Sequence, residues 1–569
     1  MVYGFGESGF NPHRFVFNEL EEPIDIYRHE AMNRMHYAGS NLIFWRGRER
    51  FLAAMDQFLP CSITEVRGYY AYLSSIYDEM IATDPTFVSP TEMRPEHLRE
   101  QFTRNPIKQI YMLSLLRRSA ASVAKKYVKD PAALKFFSKL TSVYTNTEFE
   151  ETPAILSATM FIDNHEGGTY YPAGGALMLT GRLERALERL GGDIRYDAEV
   201  ARINLDGRGR TMGVELVNGE KIPAENVIFS GTVWDLYERL LPQGAAKPSL
   251  LKKIDRLRLS PPTSVVYGAV LLNGLPSDAF PIEVFADSPD KIDERDVTCY
   301  FSSLEDSTLC PDEYKGSACA FLLIGPAKGT WPSAWTDYKT PQYEAAKEAE
   351  KNRMINLVTE HFPDFKKNVL FAEAGTPTTI ERYLRKKGGA VAGPLQAMGQ
   401  EMLKRPHATT RFPGLFMCGE STVMGTGTSA VTISGISAAN MVLRQLGLEE
   451  YRAHPQAMDR VKIIPRGARG NPIEREELSP AAACQWCENA TCAQACPARL
   501  DIPNIMRKIY CSNFKGALAL ARRDLGAADV PCATCPQKAC LKACVLQTRG
   551  KSPLPIYDII LALGRGKKS

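Results

Sequence analysis

The chain has 569 residues, 44% hydrophobic and 24% charged, which is enough for about two to four domains with their own cores. Its 69 basic and 65 acidic residues leave a formal charge of +4, which does not argue for a nucleic-acid partner. No apolar run is long enough to span a bilayer and no signal-peptide core opens the sequence, so the expected setting is cytoplasmic, where 14 cysteines point to metal or redox work rather than disulfides.

The first stretch, Gly4-Phe5-Gly6-Glu7-Ser8-Gly9, spells G-x-G-x-x-G. A dinucleotide fingerprint needs a buried strand before it and a helix opening at its third glycine. Only Met1, Val2 and Tyr3 precede it here, and Asn11-Pro12 argues against a continuing helix. It is read as a glycine-rich loop. His13, His29, His36 and His165 are read as structural residues rather than bases.

The run KQIYMLSLLRRSAASVAKKYV (108–128) is amphipathic and basic and suits a helix of a substrate lobe; peripheral membrane contact is the less favoured reading. Residues 168–240 begin with a Gly174-Gly175 turn and an amphipathic helix through Leu179, Leu183, Ala186, Leu187 and Leu190. Strands DIRYDAEVARINL, TMGVELV and NVIFSG follow, with an Asn218-Gly219 hairpin turn between the last two.

The segment RFPGLFMCGESTVMGTGTSAVTISGISAANMVLRQLG is more pointed. A short buried strand, Leu415 to Cys418, ends at Gly419-Glu420; a loop with Gly425 and Gly427 leads into a small-residue helix from about Ala430 to Leu446. Strand, acid, glycine loop and helix N-terminus form a cofactor-binding edge. The acid accepts from ribose-type hydroxyls, and backbone N–H groups with the helix dipole hold negative charge.

About thirty residues rich in Pro, Arg and Glu then read as a linker before the cysteines. Cys484, Cys487, Cys492 and Cys496 form C-x2-C-x4-C-x3-C, and Cys532, Cys535, Cys540 and Cys544 repeat it 48 residues later. Two copies of one four-ligand motif imply two sites of one kind. Zinc ribbons usually group ligands as two separated C-x2-C pairs, so iron–sulfur is favoured over a pair of zinc sites. Because the fourth cysteine of such a run often ligates the other cluster, a crossed arrangement is expected: Cys484, Cys487, Cys492 and Cys544 on one [4Fe–4S] cluster, and Cys532, Cys535, Cys540 and Cys496 on the other. Two short helices are expected between the motifs, with Cys511 packing in the core.

Residues 478–550 resemble the two-cluster domain of the glutamate synthase small subunit and of dihydropyrimidine dehydrogenase, where the clusters relay electrons to or from a flavin. Three landmarks, YYPAGGALMLTGRLERAL…GGDIRYDAEVARI, GTPTTIERYLRKKGGAVAG and GLFMCGESTVMGTGTSAVTISGISAAN, closely resemble those of the phytoene desaturase, carotenoid isomerase and retinol saturase group of FAD-dependent oxidoreductases over roughly residues 30–445. That resemblance implies FAD. It puts the Val200 backbone near the adenine, Gly419 and Glu420 near the ribityl chain, and Gly425, Gly427, Thr428, Ser429, Ala430 and Val431 near the isoalloxazine ring. The family's first βαβ unit is missing. A second polypeptide supplying it is favoured over a lost FAD site or a sequence cut short, since the ring-side residues persist.

The expected fold class is α/β + α. A partial Rossmann-like flavoprotein domain (1–450) has FAD-binding parts at about 1–58, 156–245 and 405–447, and a substrate lobe at about 60–155 and 246–404. A linker (451–477) and a small α-helical two-[4Fe–4S] ferredoxin-like domain (478–569) follow. The expected function is an oxidoreductase subunit from an anaerobic or otherwise reducing cytoplasm, coupling one-electron transfer, with ferredoxin or another electron-transfer protein as partner, to hydride chemistry on a carbon–carbon bond of an apolar substrate. The rivals are an electron-routing subunit serving a nicotinamide or ferredoxin partner, and a scaffold with a dead flavin site. A deep apolar pocket at the flavin face separates substrate enzyme from router. The sequence names no catalytic acid or base.

Overall fold

The computed structural model describes residues 2–565 except 84–91, 93, 105, 288–292, 311, 402–403, 426, 452–457, 469, 471–472 and 524–530. Parts of the expected linker and most of the basic tail therefore lie outside the described residues. In chain order the strands are β1 (Ile24–Arg28), β2 (Ala31–Tyr37), β3 (Ser40–Trp45), β4 (Tyr170–Pro172), β5 (Val200–Leu205), β6 (Thr211–Leu216), β7 (Lys221–Pro223), β8 (Val227–Phe229), β9 (Thr263–Leu271), β10 (Ile282–Phe285), β11 (Val297–Tyr300), β12 (Ala318–Pro326), β13 (Val369–Gly375), β14 (Leu415–Met417) and β15 (Val461–Ile464).

A seven-stranded sheet, ordered β13-β9-β12-β11-β10-β2-β3, frames the region expected to be the substrate lobe. Alternation along β12 buries Cys319, Phe321 and Leu323 with Met354, Ile355 and Val358 of the helix Pro341–His361. The opposite face carries Ile324 and, on β11, Thr298 and Tyr300 toward a cavity. Above that face a second core joins the helices Ile63–Thr83, Ala120–Tyr127, Pro131–Thr145 and Ala154–Glu166 to β2 and β3. β2 and β3, expected in the FAD-binding part, join the seven-stranded sheet, where β2 pairs in parallel with β10 and antiparallel with β3.

The flavoprotein half holds smaller sheets: β5-β6-β7, the parallel pair β14-β8, and β15-β1-β4. The segment read as linker contributes β15, whose Val461 to Ile464 pair with Ile24 to Tyr27. Four apolar-rich residues are too few for periodicity to reveal. The strand expected from residue 193 begins only at Val200, after Asp197 adopts φ 51°. The basic run at 108–128 forms two helices, Pro106–Leu115 and Ala120–Tyr127, because the Ser119 side chain caps the second by accepting from the Ser122 N–H.

A helix does follow the N-terminal glycines, against expectation. It is Pro12–Glu19, with proline at the first helical position where its missing N–H costs nothing. It starts three residues past Gly9, and Val2 makes only an isolated bridge to Tyr170. The glycines serve internal packing: a Cβ on Gly9 (φ 79°) would lie 2.4 Å from the Tyr77 hydroxyl, and one on Gly6 would lie 2.6 Å from the Gly167 carbonyl.

The C-terminal region is helical, with Ile502–Tyr510, Phe514–Arg523 and Ile556–Gly564 around Leu478, Ile505, Ile509 and Ile560. It packs onto the helix Leu177–Arg189. Lys508, 1% exposed, donates to Glu184 at 2.6 Å and Glu188 at 2.7 Å, Arg507 pairs with Glu184, and the Tyr510 hydroxyl donates to the Gly174 carbonyl at 2.7 Å. Cys511 is buried in this seam, where a Cβ on Gly181 would come within 2.2 Å of its sulfur.

Candidate functional site

The cysteines form two groups. The short helices Thr491–Gln494 and Ala539–Lys542 pack together, tied by the Thr491 hydroxyl donating to the Ala543 carbonyl. That contact brings Cys544 to Cys484, Cys487 and Cys492, and these four line one small cavity floored by Ile502, Leu554 and Ile556. Cys496 faces Cys532 and Cys540, with Cys535 beside them. Each motif thus gives three thiols to its own group and its fourth to the other. Among the described residues no three Cys, His, Asp or Glu side chains converge on a single-ion site. Burial and the neighbouring thiols push Cys484 and Cys492 up to about 11 and Cys532 to about 12. These thiols are neutral at physiological pH.

The second site is an apolar cavity of about 920 Å³ between the seven-stranded sheet and the helical layer, at the upper end of ligand-pocket size. Ile282 and Val284 of β10, Tyr300 of β11 and Ile324 of β12 form its floor; Met112, Leu115, Ile155 and Met160 cover it. One end is the loop after β14: Val423, Met424, Gly425, Gly427, Thr428, Ser429 and Ala430 line it. Gly425 (φ 107°) and Gly427 (φ 88°) occupy backbone conformations open to glycine, and Gly427 is the residue from which the helix Thr428–Gln445 starts. Of the other expected flavin residues, Gly419 (φ 91°) forms the turn after β14, and Glu420 lies behind the loop. Val431 is 37% exposed, and Val200 packs with Trp234, Leu415 and Met417 while its carbonyl accepts from Arg239. None of these four lines the cavity.

The ring-side half of this site fits a flavin. Glu420 Oε2 accepts from the Ala392 N–H at 3.1 Å and pairs with Lys386 at 2.5 Å, while its buried Oε1 has no partner. Arg405, 3% exposed, donates to the carbonyls of Val423 and Pro394, and its buried Nη2 has no partner either. Burial lowers Arg405 to about 10, and Glu420 opposes that shift, so the guanidinium stays charged at neutral pH. Ser429 Oγ is a third buried atom without a partner. Such atoms cost free energy until a polar ligand meets them, and an acceptor, a charged donor and a hydroxyl at a helix start match flavin chemistry.

Sequence reasoning missed Arg405 and the polar groups of the cavity wall: Asn33 on β2 and Asp163 and Asn164 on the helix Ala154–Glu166. Burial raises Asp163 to about 6; its Oδ1 accepts from the Tyr77 hydroxyl and the Phe10 N–H. The available signal was three successive polar residues, Asp163-Asn164-His165, all buried in a largely apolar helix. His13 and His165 are held near 4 and His29 near 3 by burial, each with a backbone or hydroxyl partner, and His36 meets Glu283 at 2.9 Å.

Comparison with known proteins adds two family matches. Residues 80–270 match the flavin-containing amine oxidoreductase model, and residues 469–560 match dihydropyrimidine dehydrogenase domain II, 4Fe–4S cluster. The chain is 27% identical over 442 residues to chloroplastic prolycopene isomerase of Arabidopsis thaliana, covering 76% of this chain and 70% of the relative. It is 24% identical over 479 residues to the zeta-carotene-forming phytoene desaturase of Myxococcus xanthus, covering 81% and 85%. An all-trans-retinol 13,14-reductase of Danio rerio is 23% identical over 322 residues, covering 52% and 53%. The chain is an FAD-type oxidoreductase with carotenoid isomerase and desaturase relatives, and it carries a 4Fe–4S domain.

Proposed function

We propose that this chain couples one-electron transfer through two [4Fe–4S] clusters to two-electron chemistry at FAD, acting on a carbon–carbon bond of an apolar substrate in a reducing cytoplasm. The observation that carries the reading is the apolar cavity ending on Gly425, Gly427 and Ala430, which favours a substrate enzyme over a router. FAD, when bound, supplies hydride transfer and one-electron exchange at one centre. Arg405 and Ser429 at the cavity end hold its polar edge, and Glu420 behind the loop supports the Arg405 charge. Met112, Ile155 and Ile324 exclude water and align the substrate chain. The two crossed cysteine groups ligate the clusters, and the Lys508–Glu184 seam keeps them beside the flavin half.

The pyrophosphate cradle comes from a βαβ unit outside these residues, which we assign to a tightly bound partner chain. Gly4 to Gly9 are committed to packing on Gly167 and Tyr77. β8 pairs with β14 on one edge, no described strand pairs with the other, and Ile228 of β8 is 47% exposed. A parallel strand added there extends the β14-β8 sheet.

The test is anaerobic purification of the chain with and without a βαβ-bearing partner. About eight iron and eight sulfide per chain are expected in both preparations, with stoichiometric FAD only in the complex. Two zinc ions without sulfide overturn the cluster reading, and stoichiometric FAD in the chain alone overturns the partner.

A further inference from the structure

The cavity wall has a polar end that a hydrocarbon cannot satisfy. Asn33 and Asn164 both line the cavity, each is 4% exposed, and the carbonyl oxygen of each side chain has no hydrogen-bond partner. The Tyr144 oxygen hydrogen-bonds with both side-chain amides and its O–H reaches the Met32 thioether at 3.6 Å, a weak acceptor, so both amide carbonyls stay unmet. Tyr300 extends the patch from β11, and Asp163 adjoins it on the helix that carries Asn164.

Two amides buried in an apolar site with unmet carbonyls are costly unless a ligand answers them. Asn33 also lies where the pairing of β2 with β3 shifts register between Ala31 and Arg34. Such irregularities re-aim side chains beside active sites.

We infer that this chain takes a long apolar substrate bearing a neutral hydroxyl, held by Asn33, Asn164 and Tyr144, rather than a pure hydrocarbon. Amides and phenols both donate and accept, as a hydroxyl does. A carboxylate would meet the Asp163 side chain, and a neutral hydroxyl carries no charge into the apolar cavity. The inference rests on reading this cavity as the substrate site.

The experiment is a tryptophan-fluorescence titration of the full chain with three probes of equal chain length: geranylgeraniol, the matching hydrocarbon without the hydroxyl, and geranylgeranoic acid. The alcohol should bind at least about tenfold more tightly than the hydrocarbon, since a site built for a hydroxyl rejects the analogue lacking it. In the N33L/N164L variant the alcohol should weaken and the hydrocarbon tighten, bringing the ratio to about one. Y144F, which keeps the ring and removes only the hydroxyl, should lower the ratio in the same direction if the double variant does not fold. Equal binding of alcohol and hydrocarbon by the unaltered chain, or tighter binding of the acid, overturns the hydroxyl assignment and leaves the substrate site standing. Failure to bind any probe overturns both.

Discussion

The cluster region and the flavin cavity are built on opposite plans. All eight cysteines proposed as cluster ligands lie between residues 484 and 544, and one contact between two four-residue helices brings the fourth thiol of each motif to the other group. The cavity draws its wall from Tyr3 to Ile433, with strands from one sheet, helices from another layer and a loop after β14. A ligand set written in one short stretch survives as spacing. A cavity assembled from distant segments exists only after the chain has packed. The first plan concentrates function in a few residues, so single substitutions should act as switches; the second spreads it, so they should act as gradients.

The sharpest break of that contrast is at Cys544. Cys544→Ser should remove the cluster held mainly by the earlier motif, halving iron and sulfide per chain while the other cluster's paramagnetic signal survives. Loss confined to the later motif would show that the ligands do not cross. Cys496→Ser is the reciprocal test.

Next in size is the seam joining the two regions. Lys508 is buried between two glutamates, and removing one partner of a buried pair typically costs about 3–5 kcal/mol. Lys508→Ala should therefore lower the denaturation midpoint strongly, and limited proteolysis should release the C-terminal region. A variant that resists both would show that the shared apolar core alone holds the regions together.

The cavity's own gradient is readable by pH. Burial raises Asp163 to about 6, above its ordinary value. The stabilisation from its neutral form is complete below the unfolded pKa near 4 and is lost as pH rises through about 6. Measured against Asp163→Asn, wild-type stability should fall by up to about 3 kcal/mol between pH 4 and 7. A flat difference across that window would place the carboxyl in a wetter setting than the cavity wall.

The mildest effect on folding, with a large one on cofactor, is expected at Gly427. Its positive φ disfavours any side chain, although no atom stands within 4 Å of a Cβ there. Gly427→Leu should fold with a loss of about 1–2 kcal/mol and a marked fall in flavin content of the completed complex. Unchanged flavin occupancy would move the ring away from this loop.

The sequence by itself determined the elements whose information is local. The 48-residue repeat placed eight thiols, Leu415 to Ala430 spelled strand, acid, glycine loop and helix start, and helical spacing located Ile502–Tyr510. Tertiary structure alone decided the rest. Val461 to Ile464 became a strand because Ile24 to Tyr27 offered a free edge, and β2 joined the seven-stranded sheet because β10 lay alongside it. Gly6 and Gly9, which read as a fingerprint, are required by Gly167 and Tyr77 more than 65 residues away. Asn33 and Asn164 are ordinary polar residues in sequence and become a recognition site only when β2 and the helix Ala154–Glu166 enclose them together. The physical reason is that spacing along the chain specifies what one turn or one helix can hold. Whether a buried polar atom finds a partner is settled by every segment packed around it.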